Sequence, residues 1–345
     1  MQHEVTKPQK LLNAQGTIEE PGWARSLLWE YNRKAIKSPS FKIKEWDYYL
    51  VVNDHYGAAF TLSDLGYAGM VSVSILDLEE GYDITDTIVT PFPLGRFKLP
   101  ADSGTEGVTE FRNKRVHLRY TVKDKTRRIQ CRFNEFDHGK TLTADIMIKQ
   151  PETESMCIAT PWADNPKAFY YNQKINCMPA RGKVSWGSME FTFSDKDTFG
   201  ILDWGRGVWT YDNTWYWGIG NAIVHGKPFG FNIGYGFSDR SSASENVIVY
   251  DGKIHKLEDI VFAIPETFDG QKLYTDPWQI VSSDHRFDMD FIPIFDRCAD
   301  MNFKLIETDQ HQVFGRLSGT AVLDDGTKLV VKDVVSALEV VHNRY

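Results

Sequence analysis

The stretch VHLRYTVK, residues 116–123, alternates Val116, Leu118, Tyr120 and Val122 with His117, Arg119, Thr121 and Lys123. Successive side chains of an extended chain point to opposite faces, so a period of two predicts a strand with one face buried and one wet. The same pattern recurs in LTADIMIK, residues 142–149, and again where Phe287, Met289 and Phe291 alternate with Asp288 and Asp290. Between such runs stand His138-Gly139, His225-Gly226, Asp251-Gly252 and Asp325-Gly326, placed as glycine-containing hairpin turns. Many short strands with regular turns predict an all-β chain built as sandwiches or as barrels, and the pattern leaves the two open. One exception is predicted. After Pro21-Gly22, residues Trp23, Leu27, Leu28 and Tyr31 recur at helical spacing, which predicts a short N-terminal helix over residues 23–35.

With 345 residues the chain exceeds what one hydrophobic core ordinarily fills, so two domains are expected. A gapless shift brings Trp46, Gly57 and Phe60 onto Trp215, Gly226 and Phe229, and Ser194-Asp195 with Thr198 resembles Leu323-Asp324 with Thr327. The expected division is therefore residues 1–209 and 210–345. The first unit is longer, and the Pro, Gly and Ser gathered over residues 91–109 mark an insertion.

A formal charge of −8 argues against a nucleic-acid or acidic-membrane partner. The densest basic stretch, Lys123 to Arg128, reads as a solvated hairpin end. Cys131, Cys157, Cys177 and Cys298 are too widely spaced for a metal site and are expected to be reduced. The polar opening residues and the lack of an apolar run of 18 residues lead to an expected cytoplasmic location. No HxH or HExxH, P-loop, Rossmann glycine fingerprint or GxSxG occurs, so neither a metal nor a cofactor is expected.

Aromatic residues make up 13% of the chain, with ten tryptophans, and they crowd between Gly200 and Trp217. There Asp203, Trp204, Arg206, Trp209, Tyr211, Trp215 and Trp217 lie among Gly205 and Gly207, which mark a close approach of backbone to a ligand or to another segment. Alternation puts Asp203 and Arg206 on opposite faces unless a bulge intervenes. Arg206 suits a stack over a neighbouring indole. The competing reading is an interdomain joint in which Arg206 and Asp203 pair and the tryptophans are core. A second group, Glu45, Trp46, Asp47 and Tyr48, places Glu45, Asp47 and Tyr49 on one face; a carboxyl facing an apolar interior would hold its proton and could donate it. The bland alternative is a wet edge strand. Asn232, Glu245 and Asn246 suit either the mouth of a ligand pocket or the capping of turns.

KEWDYY (44–49), LDWGRGVW (202–209), WYW (215–217), Asn232 with Gly236-Phe237, Glu245-Asn246 and DGK (251–253) resemble the bacterial family catalogued as domain of unknown function 2804, over essentially the whole chain. More distantly the chain resembles the two-domain lipocalin-like group of carotenoid 1,2-hydratase, the survival-factor proteins and the fungal Diels-Alder cyclases. That resemblance implies tandem lipocalin-like (calycin) antiparallel barrels, an apolar ligand pocket within or between them, and hydration or cyclisation without a cofactor. It also implies an acid of the Asp203 type beside Trp204 and Tyr211, although the histidine of the hydratase pattern is missing here.

Together these features lead to the expectation of a pocket protein for an apolar or amphipathic small molecule, with Asp203, Glu45, Asp47 and Arg206 as candidate catalytic groups. The expected ligand contacts are Trp46, Tyr48, Trp204, Trp209, Tyr211, Trp215, Trp217, Asn232, Glu245 and Asn246. A hydratase or isomerase, a paired-carboxylate carbohydrate enzyme and a non-catalytic carrier are the alternatives.

Overall fold

A computed structural model describes residues 2–302 and 307–344. The chain is all-β, with two curled antiparallel half-barrel sheets. The larger takes its strands from residues 22–208, the smaller from residues 212–344. Both follow one plan. In the first, the meander Ile43–Val52, Tyr56–Asp64, Ala68–Asp77, Tyr82–Pro91 starts beside the unit's last strand, Phe199–Val208; in the second, Asp212–Val224 starts the meander beside Lys328–Arg344. Trp46 and Trp215 thus occupy corresponding first strands.

Each alternating run lies in a strand: Val116–Lys123 buries Val116, Leu118 and Tyr120. The four glycine turns join hairpins, and His138-Gly139, His225-Gly226 and Asp251-Gly252 hold two successive positive φ angles, the twist that tight hairpins need.

The N-terminal helix is corrected. Among the described residues the only helical turns are Arg33–Ala35 and Ser40–Lys42. Gly22–Ala24 is instead a strand against Met156–Pro161, and Trp29–Glu30 pairs in parallel with Gln9–Lys10. The large side chains at helical spacing find separate holes, with Trp23 and Tyr31 each buried against different neighbours, and the backbone bonds go to other strands rather than to the next turn.

Residues 91–109 join the two outermost strands of the first sheet, Tyr82–Pro91 and Gly107–Arg112. The connection dips into the half-barrel: Leu99 is buried, Gly95 N donates to Asp64 Oδ2 at 2.5 Å, and Ser103 Oγ donates to Gln173. One apolar core fills the first half and takes in Val247, Val249 and Ile254 of the second, and another lies wholly within the second half. A third cluster, with Tyr48, Leu50, Ile201, Trp217, Ile219 and Phe314, joins the backs of the two sheets.

Candidate functional site

One wall carries most of the expected residues. Phe199–Val208 runs between Ile43–Val52 and Phe169–Trp186, with Asp203 opposite Tyr48 and Lys174, Trp204 opposite Asp47 and Gln173, and Arg206 opposite Glu45 and Tyr171. The register is unbroken from Asp203 to Val208, so alternation holds and the set divides in two. Glu45, Asp47, Trp204 and Arg206 face into the first half-barrel. Asp203, Trp46, Tyr48 and Trp209 face the second sheet.

On the inner face Arg206 is fully buried, with its guanidinium carbon 4.1 Å from the Trp204 ring centroid. Nη2 donates to Asp47 Oδ1 at 2.9 Å and to the Pro100 carbonyl at 2.8 Å; Nη1 donates to the carbonyls of Trp46 and Gly205. Burial pushes the Asp47 carboxyl above its ordinary range, against the pull of Arg206. Glu45 is held apart by Tyr31, whose hydroxyl donates at 2.7 Å, and by Arg33 at 2.5 Å.

Arg127 belongs here too, contrary to the solvated-hairpin expectation. It shares the face of Ile129, Cys131 and Phe133, is 2% exposed, and donates to Ser103 O, Tyr49 Oη and Gln150 Oε1. Its basic neighbours behave as expected, with Lys125 on Glu152 and Arg128 on Asp145.

These groups enclose a cavity of about 240 Å³, bounded within by Asp47, Tyr49, Tyr120, Arg127 and Trp204 and at its mouth by residues 98–109. Trp204 Nε1 and Tyr120 Oη are buried there with no hydrogen-bond partner among the described residues. A roomier hollow of about 660 Å³ lies beside Gln9, Asn13, Glu30 and Asn32. Its polar lining is exposed or only partly buried, and it holds no buried ionisable group.

On the outer face Lys174 Nζ lies 2.6 Å from Asp203 Oδ2 and 3.9 Å from Glu245 Oε2, and 4.5 Å from the Trp217 ring centroid. Asp203 Oδ1 accepts from Asn172 Nδ2 at 2.7 Å and from Trp46 Nε1 at 3.1 Å. Glu245 accepts from Asn232 Nδ2 at 3.2 Å, whose oxygen accepts from Trp217 Nε1 at 2.8 Å. Trp209 touches Trp46, Trp215 and Phe237. Gly205 and Gly234 make this possible: a Cβ would come within 2.0 Å of the Trp46 ring in one case and 2.2 Å of Glu245 Oε1 in the other.

The Arg206–Asp203 pair of the interdomain-joint reading is therefore replaced by Arg206–Asp47 and Lys174–Asp203, as alternation requires. Trp204 and Tyr211 do not flank Asp203: alternation turns Trp204 to the far side, and Tyr211 is 52% exposed. Asn246 ties a turn together, accepting from Gly234 N and donating to Glu258 O. Glu45 and Asp47 are walled off from Asp203, and the carboxyl near it, Glu245, shares its lysine, so these groups do not flank a groove as paired glycosidase carboxyls do. Sequence reasoning missed Lys174, Tyr120 and Arg127. Alternation alone would have brought Tyr120 and Arg127 inside; Lys174 is placed only by strand pairing.

The family described as domain of unknown function DUF2804 matches residues 2–345. No curated protein sequence matches the chain. Among solved structures, an AttH-like protein from Nitrosomonas europaea aligns with a TM-score of 0.52 at 10% identity, over 90% of this chain and 96% of that one. Kievitone hydratase from Nectria haematococca aligns at 0.47 and 13% identity over 99% and 98%, and CghA at 0.48 and 11% over 100% and 97%. The first of these likenesses extends to the fold.

Proposed function

The chain belongs to the DUF2804 family, and we propose that it binds a small apolar or amphipathic molecule inside the first of two lipocalin-like half-barrels. The observation that carries this is the cavity of about 240 Å³ with a buried carboxyl, Asp47, among the rings of Tyr49, Tyr120 and Trp204. Its volume is a little below the ~300–1,000 Å³ of typical ligand sites, which suits a compact molecule.

The chemistry that fits is hydration or isomerisation of an unsaturated compound. Asp47 pairs with Arg206; a ligand that loosens this pair leaves burial to keep the carboxyl protonated. The carboxyl gives the proton to an alkene carbon; water then adds to the resulting cation and returns a proton to the carboxylate, so the enzyme ends unchanged. The hydrogen bond from Arg206 to Asp47 favours the non-catalytic reading instead, a carrier that uses the same cavity. The seam around Asp203 serves in either case as the joint that holds the wall.

Thermal-shift measurements with isoprenoids, fatty acids and polyketide-like compounds test the binding. At least one should raise the melting temperature of the wild type; a clean negative across the panel contradicts the proposal. For a stabilising compound that is turned over, Asp47→Asn should retain binding and lose turnover. Unaltered turnover removes Asp47 from the chemistry, and binding without turnover in the wild type supports the carrier.

A further inference from the structure

The groups around the cavity carry an imbalance of charge. Asp47 is the one carboxyl inside, bonded to Arg206 at 2.9 Å, and Lys98 and Glu106 of opposite sign both lie at the mouth. Arg127 is different. The residue is 2% exposed, its hydrogen-bond partners, Ser103 O, Tyr49 Oη and Gln150 Oε1, are all neutral, and, among the described residues, the one carboxyl that acts on it through space, Asp47, is bonded to Arg206 instead. Two buried guanidiniums thus share one carboxyl, and a buried cation with no ion pair of its own is costly unless something else brings the charge.

Two further groups wait for an acceptor. Trp204 Nε1 can only donate, and Tyr120 Oη is a donor as well; both residues line the cavity, both are at least 97% buried, and neither atom has a partner among the described residues. Next to them the Tyr49 and Tyr120 rings, 4.8 Å apart and tilted by 58°, form an apolar wall with Val122. A guanidinium outside any ion pair, two unsatisfied donors and apolar rings in one small cavity call for a ligand with a single compact anionic head and an apolar body.

We propose that the cavity takes a small organic monoanion, of the aromatic or unsaturated monocarboxylate class, with its carboxylate toward Arg127 and its body against the rings. This rests on the cavity being the small-molecule site. An inorganic anion would leave the apolar wall unused, and a neutral molecule would leave Arg127 and Arg206 to share the one carboxyl of Asp47.

Isothermal titration of the full chain with benzoate, benzyl alcohol and benzylamine separates the possibilities. Benzoate should bind the wild type at least tenfold more tightly than either analogue. Arg127→Met should abolish that preference, and Tyr120→Phe, which keeps the ring, should weaken benzoate severalfold and benzyl alcohol much less. If Arg127→Met loses its β-sheet circular dichroism, the wild-type preference and Tyr120→Phe decide. Binding of benzyl alcohol or benzylamine as tight as benzoate overturns the anion and leaves the cavity as the site. Benzoate binding that neither variant alters overturns the location, and failure of all three probes overturns both.

Discussion

Arg206 and Asp47 are joined at 2.9 Å on the inner face of a strand pair whose other face carries Asp203, so the wall keeps one ion pair on each side. The inner pair is nearly solvent-free, with the Arg206 side chain 0% and that of Asp47 6% exposed. Two charges so placed attract strongly but have lost their water, and removing one strands the other.

Arg206→Met should therefore destabilise the protein by about 3–5 kcal/mol, measured by urea unfolding, because it also frees the carbonyls of Trp46, Gly205 and Pro100. Replacing both partners, Arg206→Met with Asp47→Leu, should cost less than the single change. A double variant as unstable as the sum of the singles contradicts the pairing.

Gly205→Ala should destabilise by about 1–3 kcal/mol, since the added methyl would lie 2.0 Å from the Trp46 indole. In the background of Trp46→Ala the same change should be close to neutral. A double-mutant cycle by urea unfolding reads the coupling.

The Lys256 amine is buried, and burial pulls it down to about 7 from 10.5. Its Nζ donates to Ser244 O and lies 5.1 Å from the Trp23 ring centroid. The unfolded chain binds this proton more tightly, so stability rises with pH between about 7 and 10.5 and is lost as pH falls through 7. Compared with Lys256→Met, the wild type should gain in urea midpoint from pH 7 to pH 10. A constant gap would mean that the amine stays charged in the folded state.

Cys131, Cys157 and Cys177 are buried and Cys298 is exposed. Burial raises the Cys131 thiol to about 12 and the other two further, which suppresses the reactive thiolate. Ellman's reagent should label one thiol promptly in the native protein and four in urea, and Cys298→Ser should remove the prompt one.

The strands were legible because a half-buried sheet writes its burial into every second residue; VHLRYTVK and LTADIMIK fall in the strands they predict. The same rule set Asp203 against Arg206 correctly. It was not carried to Arg127, where a basic run suggested water although Ile129 and Cys131 share its face. The helix failed for a different reason. Trp23, Leu27, Leu28 and Tyr31 have helical spacing, but the segment is extended and its pieces pair with two separate strands, Met156–Pro161 and Gln9–Lys10, so the interval between large residues carries no helical meaning. Which carboxyl meets which cation was not legible at all, because Arg206 and Asp47 are 159 residues apart and only strand register joins them.

The site itself is tested most directly by filling it. Val122 lines the cavity without joining its charged groups, and Val122→Trp should occupy most of the space. In calorimetric titration with a ligand that binds the wild type, Val122→Trp should abolish binding, while Trp215→Phe on the seam should leave it unchanged. Binding that survives the filled cavity and disappears with the seam variant would place the ligand between the two sheets and contradict the account.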